Sequence, residues 1–141
     1  MIEWYKMAFE KYADFKTRST RNEFWWFTLC NILVIIALYA LVGVAAIMES
    51  SILSFIALGI IVIYFLASFI PNLAVLVRRL HDTGRSGWFY FISLIPLVGS
   101  IILIVFLAQE SQPENNQWGP VPGSSGAGLE DALVDFDKDI V

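Results

Sequence analysis

The chain has 141 residues, 57% hydrophobic and only 16% charged, against roughly a quarter charged in an ordinary soluble domain. That balance argues against a water-soluble globular protein and makes the bilayer the natural solvent. The net charge of −4 is unevenly spread, with +1 over residues 1–23, +2 over 78–87 and −6 over 108–141, so the acidic balance describes the tail and does not exclude an anionic lipid partner. The single cysteine, Cys30, excludes an intramolecular disulfide and any Cys-based zinc site within one chain.

Residues 1–15 set Trp4, Tyr5, Ala8, Phe9, Tyr12 and Phe15 at spacings of three and four among Glu3, Lys6, Glu10, Lys11 and Asp14. This is an amphipathic helix too charged to span, expected to lie along the membrane interface with its aromatic face toward the acyl boundary. Its charge also excludes the short apolar core of a cleavable signal peptide. Thr20 and Glu23 have the spacing of a capping box and mark the start of a second helix. From Phe24 to Ile47 the chain runs apolar for 24 residues, about 36 Å of helix, enough to cross a hydrocarbon core of about 30 Å. Trp25, Trp26 and Phe27 stand where an aromatic belt is expected.

Met48-Glu49-Ser50-Ser51 makes a tight hairpin to a second apolar run, Ile52 to Val77, in which Pro71 removes a backbone donor and predicts a kink. Then comes Arg78-Arg79-Leu80-His81-Asp82-Thr83-Gly84-Arg85-Ser86-Gly87-Trp88, with Ser86 placed to cap a third run, Trp88 to Leu107, that Pro96 and Gly99 bend. The expected architecture is therefore an all-α membrane protein. An amphipathic interfacial helix and basic turn occupy 1–23, three transmembrane helices lie at about 24–47, 52–77 and 88–107, and a flexible acidic C-terminal tail fills 108–141. Residues 109–128 read as an extended polar linker, and 129–141 as an acidic tail with weak helical spacing. Basic residues precede the first span and separate the second from the third, so the positive-inside rule predicts a cytoplasmic N-terminus and an extracytoplasmic C-terminus.

Three groups of residues carry a resemblance: Tyr12-x-x-Phe15-x-x-Arg18-x-x-Arg21-x-Glu23-Phe24-Trp25, then Arg78-Arg79-Leu80-His81-Asp82-x-Gly84-x-Ser86-Gly87-Trp88, then Asn116-x-Trp118-Gly119-x-x-Pro122. Together they resemble the bacterial inner-membrane proteins grouped as domain-of-unknown-function family 805, the YhaH-type membrane proteins. The likeness covers roughly residues 5–122. Thr17 stands where that family usually has glycine, which frees the backbone there from a left-handed conformation. The resemblance implies an all-helical inner-membrane protein and supplies no activity.

With this topology Arg18, Arg21 and Glu23 share a membrane face with Arg78, Arg79, His81, Asp82, Arg85 and Ser86. Cations outnumber acids there, so the expectation is a basic rim. Asn31, Asn72 and Ser93 fall at similar depths, roughly 8–12 Å inside by helical rise, and form an expected polar layer beneath it. Two readings follow. In one, the asparagines bond across helices and the arginines clamp and orient the fold. In the other, arginine forks and the amide-rich turn at Gly84, Ser86 and Gly87 bind an anion, most simply a lipid phosphate.

An enzyme is not expected. His81-Asp82 is acid/base-capable, but one histidine cannot complete the ligand set of a metal phosphohydrolase, and no nucleophile elbow surrounds Ser86. No metal, cofactor or nucleic acid is called for. The expected partners are membrane lipids with anionic head groups, a second copy, or another membrane protein. A lipid-interacting or partner-binding membrane module comes first, with an oligomeric channel or transporter subunit as the alternative.

Overall fold

The computed structural model describes residues 2–122, and among them every regular element is helical. The chain divides into two compact units, one of residues 1–15 with 22–77, the other of 16–21 with the chain from 78 onward.

In the first unit, α1 (Ile2–Glu10) is the expected amphipathic helix, but its aromatic face meets protein. The Tyr5 ring stacks on Phe27 at 5.5 Å, Phe9 lies 6.2 Å from the same ring, and the Tyr5 hydroxyl is 3.4 Å from that of Tyr64. Tyr5 and Phe9 of that face are thus turned to protein. A tyrosine hydroxyl needs a polar partner when its ring is covered, and the neighbouring helices supply one where hydrocarbon cannot.

Directly after Thr20, α2 (Arg21–Ile47) begins; of the three expected belt residues it exposes Trp25 and Trp26, whereas Phe27 is buried under Tyr5 and Phe9. It ends in a left-handed cap: the Ser50 amide donates to the Ala45 carbonyl and the Glu49 amide to Ala46, with Glu49 at φ 49°. Ser50 then caps the next helix, its hydroxyl accepting the Leu53 amide at 3.3 Å. α3 (Ser51–Asp82) is 32 residues long. Both α2 and α3 are long and apolar enough to cross a membrane. Ile36, Tyr39, Phe55, Ile63, Leu66 and Phe69 lie on their exposed surfaces, an amount of apolar area that acyl chains cover and water does not.

Pro71 does not interrupt α3. Lacking an N–H, it leaves the Ala67 carbonyl without its helical donor, and the Tyr12 hydroxyl, just beyond α1, donates to that oxygen at 2.9 Å. A side chain from a neighbouring segment thus repairs the defect.

In the second unit, the expected third span is not one helix. Residues Gly87–Leu94 form a 3-10 helix and Gly99–Ala108 form α4, folded against each other with Phe89 and Phe106 rings 6.0 Å apart. Ser86 caps the first element as expected. The cause of the break is local. Pro96 holds Ile95 extended (φ −73°, ψ 116°), Leu97 takes φ 67°, and the Val98 amide closes a γ-turn on the Pro96 carbonyl at 2.8 Å. Gly99 allows the close return, since a Cβ there would sit 1.9 Å from the Ile92 carbonyl oxygen. Ten residues of α4 rise about 15 Å, half of a hydrocarbon core of about 30 Å. Of the flexible tail expected over 108–141, residues 109–119 are instead held by hydrogen bonds to Arg18, Arg79, His81 and Asp82, and the weak acidic helix over 129–141 lies outside the described residues.

The Tyr12 bond makes a specific stability prediction. Tyr12→Phe strands the Ala67 carbonyl and costs about 1 kcal/mol. The same change in a Pro71→Ala background, where the substituted alanine supplies the missing helical amide to that carbonyl, costs close to nothing. Unfolding of the four variants in lipid nanodiscs measures this cycle, and equal costs in both backgrounds would refute the repair.

Candidate functional site

The polar cluster is built on the last turn of α3. Gly84 takes φ 77° and closes the helix, with the Arg85 amide on the Leu80 carbonyl at 2.9 Å and the Gly84 amide on His81 at 3.0 Å. A side chain at position 84 would be strained by that φ. Asp82 is left as the final helical residue, its carboxylate fully buried at the negative end of the helix dipole. Such a charge is tolerated only when paired and hydrogen-bonded.

Two arginines supply the pairing. Arg18 Nε donates to Asp82 Oδ1 at 3.1 Å and its Nη2 lies 3.0 Å from the same oxygen. Arg79 Nη1 pairs with Oδ2, which also accepts from the Ser111 hydroxyl. Apart from an Arg79 Nη1 bond to the Ser111 hydroxyl at 3.4 Å, the remaining bonds of both guanidiniums go to backbone carbonyls. Arg18 reaches Gln112 at 2.8 Å, Glu114 at 2.9 Å, Asp82 at 3.3 Å and Gly119 at 3.4 Å. Arg79 holds the end of α4, donating to Leu107 at 2.9 Å and to Gln109, carbonyls that have no intrahelical donor.

Residues 109–120 therefore wrap the end of α3. The Gln112 amide donates to the Asp82 carbonyl at 2.9 Å, and Asn116 and Gly119 close a tight turn through paired backbone bonds. Asn116 Nδ2 donates to the His81 carbonyl and to Gln112 Oε1, both at 2.9 Å, while its Oδ1 accepts the Trp118 amide. That turn aims Trp118 at His81. The rings stack at 4.4 Å, 8° from parallel, and His81 Nδ1 is 3.3 Å from the Thr17 carbonyl. Thr17 does not take a positive φ, as expected from the sequence.

The structure thus brings Arg18, Arg79, His81 and Asp82 into one buried cluster. Arg78 is buried as well, and Glu23 is buried on α2. Arg21 is exposed, and Arg85 is half-buried, with its guanidinium 4.0 Å above the Phe106 ring and donating to Gln109 Oε1 at 2.6 Å. In the first unit Asn31 and Asn72 meet through a 2.6 Å bond, and Tyr64, unforeseen from sequence, donates to Asn31 Oδ1. A cavity of about 340 Å³ opens beside them, lined by Thr28, Asn31, Phe65, Ser68 and Asn72 among others. Ser93 donates to its own turn, at the Tyr90 carbonyl.

Chemically the cluster is a clamp. Asp82 commits both oxygens to Arg18, Arg79 and Ser111, so it is not the orienting acid of a His81 base. Among the described residues no group of three or more His, Cys, Asp or Glu could hold a metal ion. Ser111, Gln112 and the carbonyls of 107–119 were invisible as partners in the sequence. Asn116 and Trp118 were visible as a motif with no assigned place.

Replacing Asp82 by asparagine leaves two buried guanidiniums sharing no counter-charge, and about 3 kcal/mol or more of stability is lost. Glu114→Gln changes an exposed side chain whose carbonyl alone is used and stays within about 0.5 kcal/mol of the parent. Protease resistance in nanodiscs separates the two.

The model of a family described as a protein of unknown function (DUF805) matches residues 12–120. The inner membrane protein YhaH of Escherichia coli K12 is 37% identical over 122 residues, covering 86% of this chain and 97% of the relative. The inner membrane protein YhaI of the same strain is 34% identical over 121 residues, covering 86% and 96%. Neither name carries an activity, and no solved structure matches. The family match over residues 12–120, together with relatives 34% and 37% identical over nearly their whole length, places the chain in the DUF805 family of inner membrane proteins of unknown function.

Proposed function

We propose that the protein is a lipid-interacting membrane module whose buried cluster is structural and whose head-group contacts are made by the cations outside it. The observation that carries this reading is the division of the basic residues. Arg18 and Arg79 are 4% and 0% exposed with their donors committed to Asp82 and to backbone carbonyls, so a lipid phosphate has neither access nor free donors there. Lys16 and Arg21 are exposed, and Arg85 is half-buried. These three belong to the same unit as the clamp.

Of the cations in the anion-binding expectation, the reading keeps Arg21 and Arg85, sets aside the buried Arg18, Arg78 and Arg79, and adds Lys16. Cations at a membrane surface attract anionic lipid by about 1 kcal/mol each, and arginine forks match a phosphate. Arg85 is held by Phe106 from below and by Gln109, so less of its freedom is lost on binding.

The test is native mass spectrometry from nanodiscs containing phosphatidylglycerol. Lys16→Gln, Arg21→Gln and Arg85→Gln combined lower anionic lipid retention by on the order of 100-fold with thermal stability close to the parent. Retention unchanged in the triple variant overturns the reading.

A further inference from the structure

We propose that the 3-10 helix and α4 form a re-entrant hairpin that enters a single leaflet of the bilayer and returns to the face it left, so that the chain crosses the membrane twice. Both ends of the hairpin are fixed at one place. Its first residue, Gly87, follows Asp82 by a short turn, and the carbonyls at its far end, Leu107 and Gln109, accept from Arg79. A segment whose exit is bonded to the residue three before Asp82 has not reached the opposite face.

The surface between those ends identifies the occupant as acyl chains. From Ser86 to Ala108 there is no Asp, Glu, Lys, Arg or His, and Trp88, Phe91, Leu94, Ile101 and Ile104 are all more than half exposed. Charge is confined to the root, where Arg85 meets Gln109 at 2.6 Å and Trp88 begins the apolar part, the order of residues found at a membrane interface. The tip is Leu97, 89% exposed in a strained left-handed conformation that a leucine adopts at a cost and that water would reward least. Lipid-exposed backbone needs internal hydrogen bonds, and the turn makes them: Val98 donates to Pro96, Gly99 to Ile95 and Ile102 to Val98. Ten residues of α4 reach about 15 Å, the depth of one leaflet.

The inference stands apart from head-group binding and is read by different experiments. In a Cys30→Ser background, single cysteines replace Glu49 in the α2–α3 turn, Asn115 after α4 and Leu97 at the tip. In intact cells a membrane-impermeant maleimide is expected to label the cysteine at 49 and to spare the one at 115 until the membrane is opened. The cysteine at 97 is expected to resist the reagent in sealed and in opened membranes, and a fluorophore attached there in detergent and reconstituted is quenched by mid-chain nitroxide lipid. Sites 49 and 115 labelled from the same side require an additional crossing and overturn the proposal. A tip labelled by the impermeant reagent overturns leaflet insertion, and so does an efficient disulfide between two copies through position 97, which assigns the apolar surface to a second chain.

Discussion

The second unit depends on one carboxylate. Asp82 sits where a helix end already carries partial negative charge and where water is absent, so it is intolerable alone. Arg18 and Arg79 are equally costly to bury without it. Each guanidinium then extends the network outward to backbone carbonyls: Arg18 to those of residues 112, 114 and 119, Arg79 to those ending α4. Because arginine presents five donors in a planar fork, it can satisfy a carboxylate and several carbonyls at once, which a lysine cannot. The course of the chain after α4 is the result.

The first unit solves a different problem by related means. Its helices are apolar, so hydrophobic burial gives little reason for them to associate once in lipid. Small residues such as Ala45 and Ala57, both fully buried, permit close approach, and polar side chains give direction: Asn31 to Asn72, Tyr64 to Asn31, Tyr12 to the carbonyl that Pro71 abandons. The hydroxyls of Tyr5 and Tyr12 are therefore directed at α3, which helps dock the amphipathic N-terminal segment on it.

What was legible in the sequence follows the strength of the local signal. The apolar runs ending at Ile47 and Val77 exceed bilayer length without interruption, and they became α2 and α3. The run from Trp88 to Leu107 has the same composition and nearly the same length, yet Pro96 and Gly99 divide it into two short elements. Hydropathy records how much of a segment is apolar and not whether it turns back, so the bend is foreseeable and its consequence is not. Similarly, Asn31 facing Asn72 is readable from helical rise, whereas Ser93 joins the same layer only on the premise of a straight third helix and bonds within its own turn instead. The arginine cluster can be located from sequence, but its partners are main-chain oxygens, which no residue identity reveals.

Arg18 also sets an order of events. Its acceptors lie 64 to 101 residues later in the chain, so when the ribosome has made both apolar helices this guanidinium has only Asp82 to pair with and still lacks the carbonyls of residues 112, 114 and 119. Synthesis runs from the N-terminus, and Gly119 is the last of these acceptors to be made. A nascent chain stopped before the Asn116 turn would hold this guanidinium paired with Asp82 but without the Gly119 carbonyl, its clamp only partly closed.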